Sequence, residues 1–296
     1  MRLQLVLNPS AGRGRAARLL PIVLQALEAH DVVVTPTRAL EHADELVASA
    51  AADGRVAVAF GGDGIVGRVA GAVAALSGGS GGVTGGVMGV LPGGRGNDFC
   101  RSVGIPRDPR GACKVLTAGV ATPVDLGYVG DAAFIGIASI GFDSDAQERT
   151  LTSRLPLGRL VYLYGSLAAV VAWRPATFTC SVDGTPLVVH GWSVAVANTG
   201  LYGGGMRLAP DASVTDGLLD VVTTSATSRR TFLRALPKVF TGTHVTQPSV
   251  SIVRARVLTL AADRAFRVFA DGDPVASLPC SVTVRPGAVQ VLLPRA

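Results

Sequence analysis

Val56-Ala57-Val58-Ala59-Phe60-Gly61-Gly62-Asp63-Gly64 joins an apolar, β-branched run to a glycine loop, and a helix-like stretch follows to about Leu76. A strand that ends in glycines at the mouth of a helix places backbone N–H groups and a partial positive charge where phosphate oxygens bind. Asp63 sits inside that cradle. Its negative charge would repel phosphate unless a divalent cation bridges the two or the carboxylate works on a proton, and both belong to phosphoryl transfer. A plain helix-capping aspartate is the simpler alternative for this loop taken alone.

The same strand-then-helix order surrounds this stretch. Arg2 to Leu7 reads as extended, Arg15 to Ala29 as helical, Val32 to Pro36 as extended and Glu41 to Ala52 as helical; Val87 to Leu91 and a helix after Asn97 continue the series. Such alternation predicts a parallel sheet with helices on both faces and its ligand loops on one edge. Two further strand ends carry glycine loops, Asn8-Pro9-Ser10-Ala11-Gly12-Arg13-Gly14 and Pro92-Gly93-Gly94-Arg95-Gly96-Asn97-Asp98. Parallel strands bring all three loops to one edge, where they can converge on one polyphosphate. Ser77 to Gly86 reads as a flexible surface loop.

From Thr122 the pattern changes to short β-rich runs: Phe134 to Ile140, Phe178 to Val182, Trp192 to Ala197, Leu219 to Thr223, Ser251 to Leu260, Arg267 to Ala270 and Val282 to Val284. Turn pairs such as Asp183-Gly184 and Asp271-Gly272 separate them, and one helix, Ser228 to Phe240, interrupts them. This predicts an antiparallel β-sandwich. The expected division is an α/β nucleotide-binding domain over 1–121 and a β-sandwich lipid-binding domain over 122–296, with a C-terminal tail that returns to the first domain.

The chain has 296 residues, 48% of them hydrophobic and 16% charged, 37 glycines and a net charge of +6. That charge favours anionic partners. Nucleic acid is not expected, because aromatics are few and no basic helix or aromatic-basic sheet motif is present. The apolar run after Arg2 stops at Asn8 and Pro9, too short for a signal core, and Leu160 to Trp173 is too short and too interrupted to span a bilayer. A cytoplasmic protein, peripheral on the inner face of the membrane, is expected. Cys100, Cys113, Cys180 and Cys280 lack paired spacing and read as reduced thiols, and His30, His42, His190 and His244 do not supply zinc spacing.

Two familiar nucleotide motifs fail on the letters. Gly12, Gly14 and Ala17 imitate a dinucleotide fingerprint, but Thr35-Pro36-Thr37 ends the second strand without an acid for a ribose, and no loop has the Lys-Ser/Thr of a P-loop. The whole set of strings instead resembles the diacylglycerol kinase catalytic family, which includes bacterial lipid kinases and sphingosine kinases. The strings are the Asn8-Pro9-x-x-Gly12 opening, Gly61 to Gly64, Leu91-Pro92-x-Gly94-x-x-Asn97-Asp98-Phe99 with Arg101, and Ile140-Gly141-Phe142-Asp143. Asn198, Tyr202-Gly203-Gly204-Gly205-Met206, Pro210, Ala212, Asp216-Gly217-Leu218-Leu219-Asp220 and Asp271-Gly272-Asp273 complete them. They occur in order along nearly the whole chain.

The resemblance implies a phosphofructokinase-like doubly wound sheet domain followed by an antiparallel β-sandwich, and transfer of the ATP γ-phosphoryl group to a hydroxyl of diacylglycerol or a related lipid. It implies ATP against Asn8, Pro9, Ser10, Ala11, Gly12, Thr37, Gly61, Gly62, Asp63, Gly64, Ile65 and Arg68, with Arg95, Asn97 and Asp98 beside the phosphates. Asp63 would hold catalytic Mg2+, and Asp273 would be the base for the lipid hydroxyl. Asp216, with backbone carbonyls at Ser213 and Leu218, would hold a structural Mg2+. The partner implied is a lipid at the membrane surface; self-association as a homodimer is left open.

Four positions depart from the family pattern. Ile65 replaces a threonine, Arg68 a glutamate, Arg95 a threonine, and Asp273 the final glutamate of an Asp-Gly-Glu string. The arginines would add guanidinium groups beside the phosphate site. A kinase of nicotinamide dinucleotides, which also carries a Gly-Gly-Asp-Gly loop, and a non-catalytic nucleotide- or lipid-binding protein remain as alternatives. The strings around Asn97 and Tyr202 to Ala212 favour the lipid family.

Overall fold

The computed structural model describes residues 1–78, 86–152, 169–170 and 172–295. The loop expected over Ser77 to Gly86 and the apolar segment Leu160 to Trp173 fall mostly outside these residues. The first half runs β1 (Arg2–Leu7), α1 (Ala11–Ala26), β2 (Asp31–Pro36), α2 (His42–Ala52), β3 (Val56–Gly61), α3 (Asp63–Leu76), β4 (Val87–Pro92), α4 (Asp98–Ser102) and α5 (Pro109–Ala118). Its strands are parallel in the order β2-β1-β3-β4. The strands are apolar on both faces because helices cover both: α1 packs on α5 and α2 on α3.

The second half continues with β5 (Val120–Val129), β6 (Ala132–Phe134), β7 (Ile137–Gly141), α6 (Phe142–Thr152), β8 (Ala176–Val182), β9 (Thr185–Ala197), β10 (Leu201–Tyr202), β11 (Met206–Arg207) and β12 (Leu219–Ser225). It ends with α7 (Arg229–Thr241), a 3-10 turn at Thr243–Thr246, β13 (Val250–Ala255), β14 (Val257–Ala262), β15 (Arg267–Ala270), β16 (Asp273–Ser277) and β17 (Cys280–Leu293). These strands pair antiparallel around a separate core that includes Phe134, Phe178, Val194 and Val268. The structure is thus an α/β layer followed by a β-sandwich.

Strand β17 ties the halves together. It pairs antiparallel with β14 and with β5 from Val282↔Val129 to Leu293↔Val120, then runs parallel to β4 at Gln290↔Val87 and Val291↔Met88. The last strand therefore closes the edge of the first sheet, and Val289 and Val291 belong to the first core.

Three local expectations need correction. The first helix ends at Ala26, not Ala29; its regular part starts at Arg15 as expected, because Gly12, Arg13 and Gly14 hold left-handed backbone that separates it from the turn at Ala11. Phe134 to Ile140 is two strands, because β6 pairs with β5 and β7 with β9. Ser251 to Leu260 is also two strands: β13 pairs with β12 while β14 pairs with β8 and β17, and the switch occurs at Arg256, whose N–H donates to the Asp183 carboxylate at 3.0 Å. A continuous strand-like run does not register where a chain changes partners.

Candidate active site

The three glycine loops meet because their backbones are hydrogen-bonded to one another. Asn8 N–H donates to Phe60 O at 2.9 Å, and Gly93 and Gly94 N–H both donate to Gly61 O, at 2.7 and 2.8 Å. Side chains would not fit between them. A Cβ on Gly94 would stand 2.5 Å from the Gly62 Cα, and one on Gly61 would stand 2.5 Å from Ile65 Cγ2. Helix α3 starts from extended Gly62 with Asp63 in its first turn, so its free N–H groups open into a cleft. That cleft, of about 480 Å³, is lined by Asn8, Ser10, Ala11, Gly12, Gly62, Asp63, Gly64, Ile65 and Arg95 from the first half and by Asp271, Gly272 and Asp273 from the second.

Asp63 is paired with a second carboxylate. Its Oδ1 accepts from Phe99 N–H at 3.0 Å, and Asp98 Oδ2 accepts from Gly204 N–H at 2.6 Å. A Cβ on Gly96 would lie 3.0 Å from Asp98 Oδ2 and 3.3 Å from Asp63 Oδ2, so both acids flank one glycine. Burial pushes both carboxyls above the usual range, and the charge of Asp98 pushes Asp63 further. Asp98 Oδ1 is buried without a partner. Two coupled carboxylates with an unpartnered oxygen, beside a phosphate cradle, suit a hard cation such as Mg2+, which needs only one or two protein carboxylates plus phosphate and water.

Asp271-Gly272 forms a two-residue hairpin turn between β15 and β16, with φ of 51° at Asp271 and 93° at Gly272, and Asp273 opens β16. Asp271 does not face the cleft as a free acid. Its Oδ1 accepts from Gly136 and Ile137 N–H at 2.9 and 3.2 Å and its Oδ2 from Ile135 N–H at 2.9 Å. Burial nevertheless pushes its carboxyl up to about 7, against the pull of these amides. The hairpin so held presents Asp273 to α3, where a Cβ on Gly64 would stand 2.8 Å from its Oδ2. Burial, with the charge of Glu41, raises the Asp273 carboxyl as well.

Several expected nucleotide contacts are spent elsewhere. Arg68 forms a two-point pair with Asp44, Nε to Oδ1 at 2.8 Å and Nη2 to Oδ2, which binds α3 to α2. Asn97 is buried, with Oδ1 accepting from Gly94 N–H at 2.8 Å and Nδ2 donating to Gly94 O at 3.0 Å, so it fixes the loop. Thr37 N–H donates to Leu7 O at 2.7 Å, and Leu40 lines the cleft where Thr37 does not. Pro9 is exposed at the loop tip and Ile65 is buried beneath Gly61.

Ser213, Asp216 and Leu218 lie away from the cleft. Ser213 lines a separate cavity of about 540 Å³, and exposed Asp216 accepts Leu218 N–H at 3.1 Å. Sequence reasoning missed Asp125, which braces this loop: its oxygens accept from Gly217 and Gly287 N–H, each at 2.7 Å. A lone aspartate between Val124 and Leu126 was the available signal. Among the described residues no cluster of three or more His, Cys, Asp or Glu side chains can hold a metal. A cation here would rest on the Asp216 carboxylate, carbonyl oxygens and water, a set that fits Mg2+.

Arg95 was expected beside the phosphates, but the ring of arginines it joins was missed. Arg13, Arg15, Arg18, Arg95 and Arg107 line a cavity of about 450 Å³ beside Gly12 and Gly94. Arg15 donates to Gly94 O at 3.0 Å and Arg107 O at 3.3 Å, while Arg107 donates to Arg95 O at 3.3 Å. None of the five forms a salt bridge among the described residues.

Comparison with known proteins gives this arrangement a family. The model for the diacylglycerol kinase catalytic domain matches residues 2–129, and that for the YegS C-terminal NAD kinase beta sandwich-like domain matches residues 136–293. A diacylglycerol kinase of Mycobacterium tuberculosis is 35% identical over 97% of this chain and 94% of its own length. A diacylglycerol kinase of Bacillus subtilis is 27% identical over 99% and 97%, and a probable YegS-like lipid kinase of Cronobacter sakazakii is 29% identical over 90% and 88%. The crystal structure of a putative diacylglycerol kinase from Bacillus anthracis shares the fold, with a TM-score of 0.75 at 22% identity over 99% of this chain and 96% of that one. With glycine loops, paired acids and sandwich hairpin arranged in that common fold, the chain belongs to the family of bacterial diacylglycerol kinases and YegS-like lipid kinases.

Proposed function

We propose that this protein transfers the γ-phosphoryl group of ATP to a hydroxyl of diacylglycerol or a closely related lipid, giving phosphatidic acid or its analogue. The observation that carries the reading is the meeting, in one cleft between the halves, of a glycine phosphate cradle, the Asp63–Asp98 pair and the hairpin acid Asp273. ATP phosphates would lie against the glycine loops at Gly12 and Gly62 and the first turn of α3, with Arg13 and Arg95 offsetting their charge. Asp63 and Asp98 would hold Mg2+, which when bound neutralises charge on the phosphates. The lipid oxygen attacks the γ-phosphorus, the bond to the β-phosphate oxygen breaks to leave ADP, and the hydroxyl proton passes to the Asp273 carboxylate. Its raised pKa makes that carboxylate a stronger base than an exposed aspartate. Glycines at 64 and 67 let the hairpin approach α3 closely enough to aim it.

The lipid would be met at a membrane surface; among the described residues no helix is long and apolar enough to cross a membrane. The test is incubation of the folded protein with Mg2+, γ-labelled ATP and a panel of diacylglycerol, sphingosine and ceramide in mixed micelles. Labelled phosphatidic acid is expected. Absence of label in every lipid would overturn the proposal, and label in a nicotinamide dinucleotide instead would replace it.

A further inference from the structure

Helix α7 carries two parallel ridges that the fold does not cover. Its inner face is sealed: Phe232 stacks on Trp192 with ring centroids 3.8 Å apart in an aromatic cluster with Phe142 and Trp173, and Leu236 packs beside it. The Ser228 hydroxyl caps its start by accepting Thr231 N–H at 3.1 Å. The outer face combines apolar and cationic groups. Leu233, Pro237 and Phe240, at i, i+4 and i+7, form one line, and Arg230, Arg234 and Lys238, at i, i+4 and i+8, form the next. Leu233 is 41% and Phe240 56% exposed. The helix contains no acidic residue, and none of these cations forms a salt bridge among the described residues.

We infer that the outer face of α7 docks this protein on an anionic phospholipid bilayer. Leu233 and Phe240 enter the headgroup-acyl boundary while Arg230, Arg234 and Lys238 meet lipid phosphates, the division of labour of an interfacial helix. Charge decides the occupant. A symmetric contact with a second copy would set the cationic ridge against itself, whereas the chain's net charge of +6 adds to attraction for an anionic surface. The position also serves the cleft: α7 packs on β11, which pairs with β10, and Gly204 between them donates to Asp98. This inference names the partner surface of the proposed lipid kinase and rests on that reading for its purpose, but its test does not depend on catalysis.

The full chain is sedimented with sucrose-loaded vesicles of phosphatidylcholine alone or mixed with phosphatidylglycerol. Binding is expected only to the anionic vesicles and should weaken as salt rises. The triple variant R230Q/R234Q/K238Q should lose about 100-fold in partitioning, at about fivefold per cation. The pair Leu233→Ser and Phe240→Ser should also release the protein, while Val188→Ser, at an exposed apolar position on β9, should not. Unfolding midpoints equal to wild type establish that the variants are folded, and restored binding in R230K/R234K identifies charge as the cause. Failure of wild type to bind anionic vesicles, or binding unchanged in the folded α7 variants, overturns the inference. So does a change in sedimentation equilibrium that marks α7 as a contact between copies. Vesicle binding lost in the variants without any lipid phosphorylation by wild type would sustain the docking surface and overturn the kinase reading instead.

Discussion

Asp271 offers a direct test of how the catalytic hairpin is held. Opposing effects act on its carboxyl: burial and the charge of Asp63 favour the neutral acid, while the N–H groups of Ile135, Gly136 and Ile137 favour the anion. Burial wins, moving the carboxyl from 3.8 to about 7. The folded state therefore binds a proton that the unfolded chain releases between these values, and stability falls as pH rises through that window. The full loss is about 4 kcal/mol, at about 1.4 kcal/mol per pH unit. Asp271→Asn keeps an acceptor for Gly136 and Ile137 and sets an N–H₂ against Ile135, the same mismatch a protonated acid would have, costing about 1–3 kcal/mol at any pH. The variant should thus match wild type near pH 4 and exceed it increasingly up to pH 7, after which the gap levels off. Urea unfolding midpoints of both proteins from pH 4 to 8 measure this, and titrating groups that do not interact with Asp271 cancel in the difference, leaving its coupling to Asp63 as part of the same signal. A flat gap, or a wild type that gains on the variant as pH rises, would refute the reasoning by showing that the amides outweigh burial.

Other substitutions separate the parts of the cleft. Asp63→Asn should lower phosphoryl transfer by at least about 10²-fold while leaving the unfolding midpoint unchanged or raised, because it removes a buried like charge facing Asp98. Gly64→Ala should reduce kcat more than ATP affinity, since its methyl would meet Asp273 Oδ2 rather than the nucleotide loops; equal loss in ATP binding, measured by calorimetry, would contradict that placement. Arg68→Ala should cost at most about 1 kcal/mol of stability and leave ATP affinity intact, as expected for a partly exposed pair with Asp44. The rate should rise with pH along an acid limb set by the raised Asp273 carboxyl, and Asp273→Asn should abolish that limb along with about 10²- to 10⁴-fold of the rate.

The sequence by itself determined the layered plan. Period and punctuation marked strands followed by helices up to Ala118 and strands separated by Asp-Gly turns afterwards, because these signals are local: a glycine loop at Gly61 or a turn at Asp271-Gly272 is dictated by the backbone freedom of the residues in it. The motif strings likewise singled out Asp63, Asp98 and Asp273 independently of any geometry. Only the tertiary structure decided what those residues face. Arg68 was expected beside phosphate and instead pairs with Asp44 from another helix; Asn97 turns inward onto Gly94; Asp98, one residue among the loop positions, becomes the electrostatic partner of Asp63. The return of β17 to β4, and the bracing of the Gly217 loop by Asp125, depend on contacts between residues far apart in the chain. A side chain's partner is set by which elements pack together, and burial and pairing, which govern charge and proton affinity, exist only after they have.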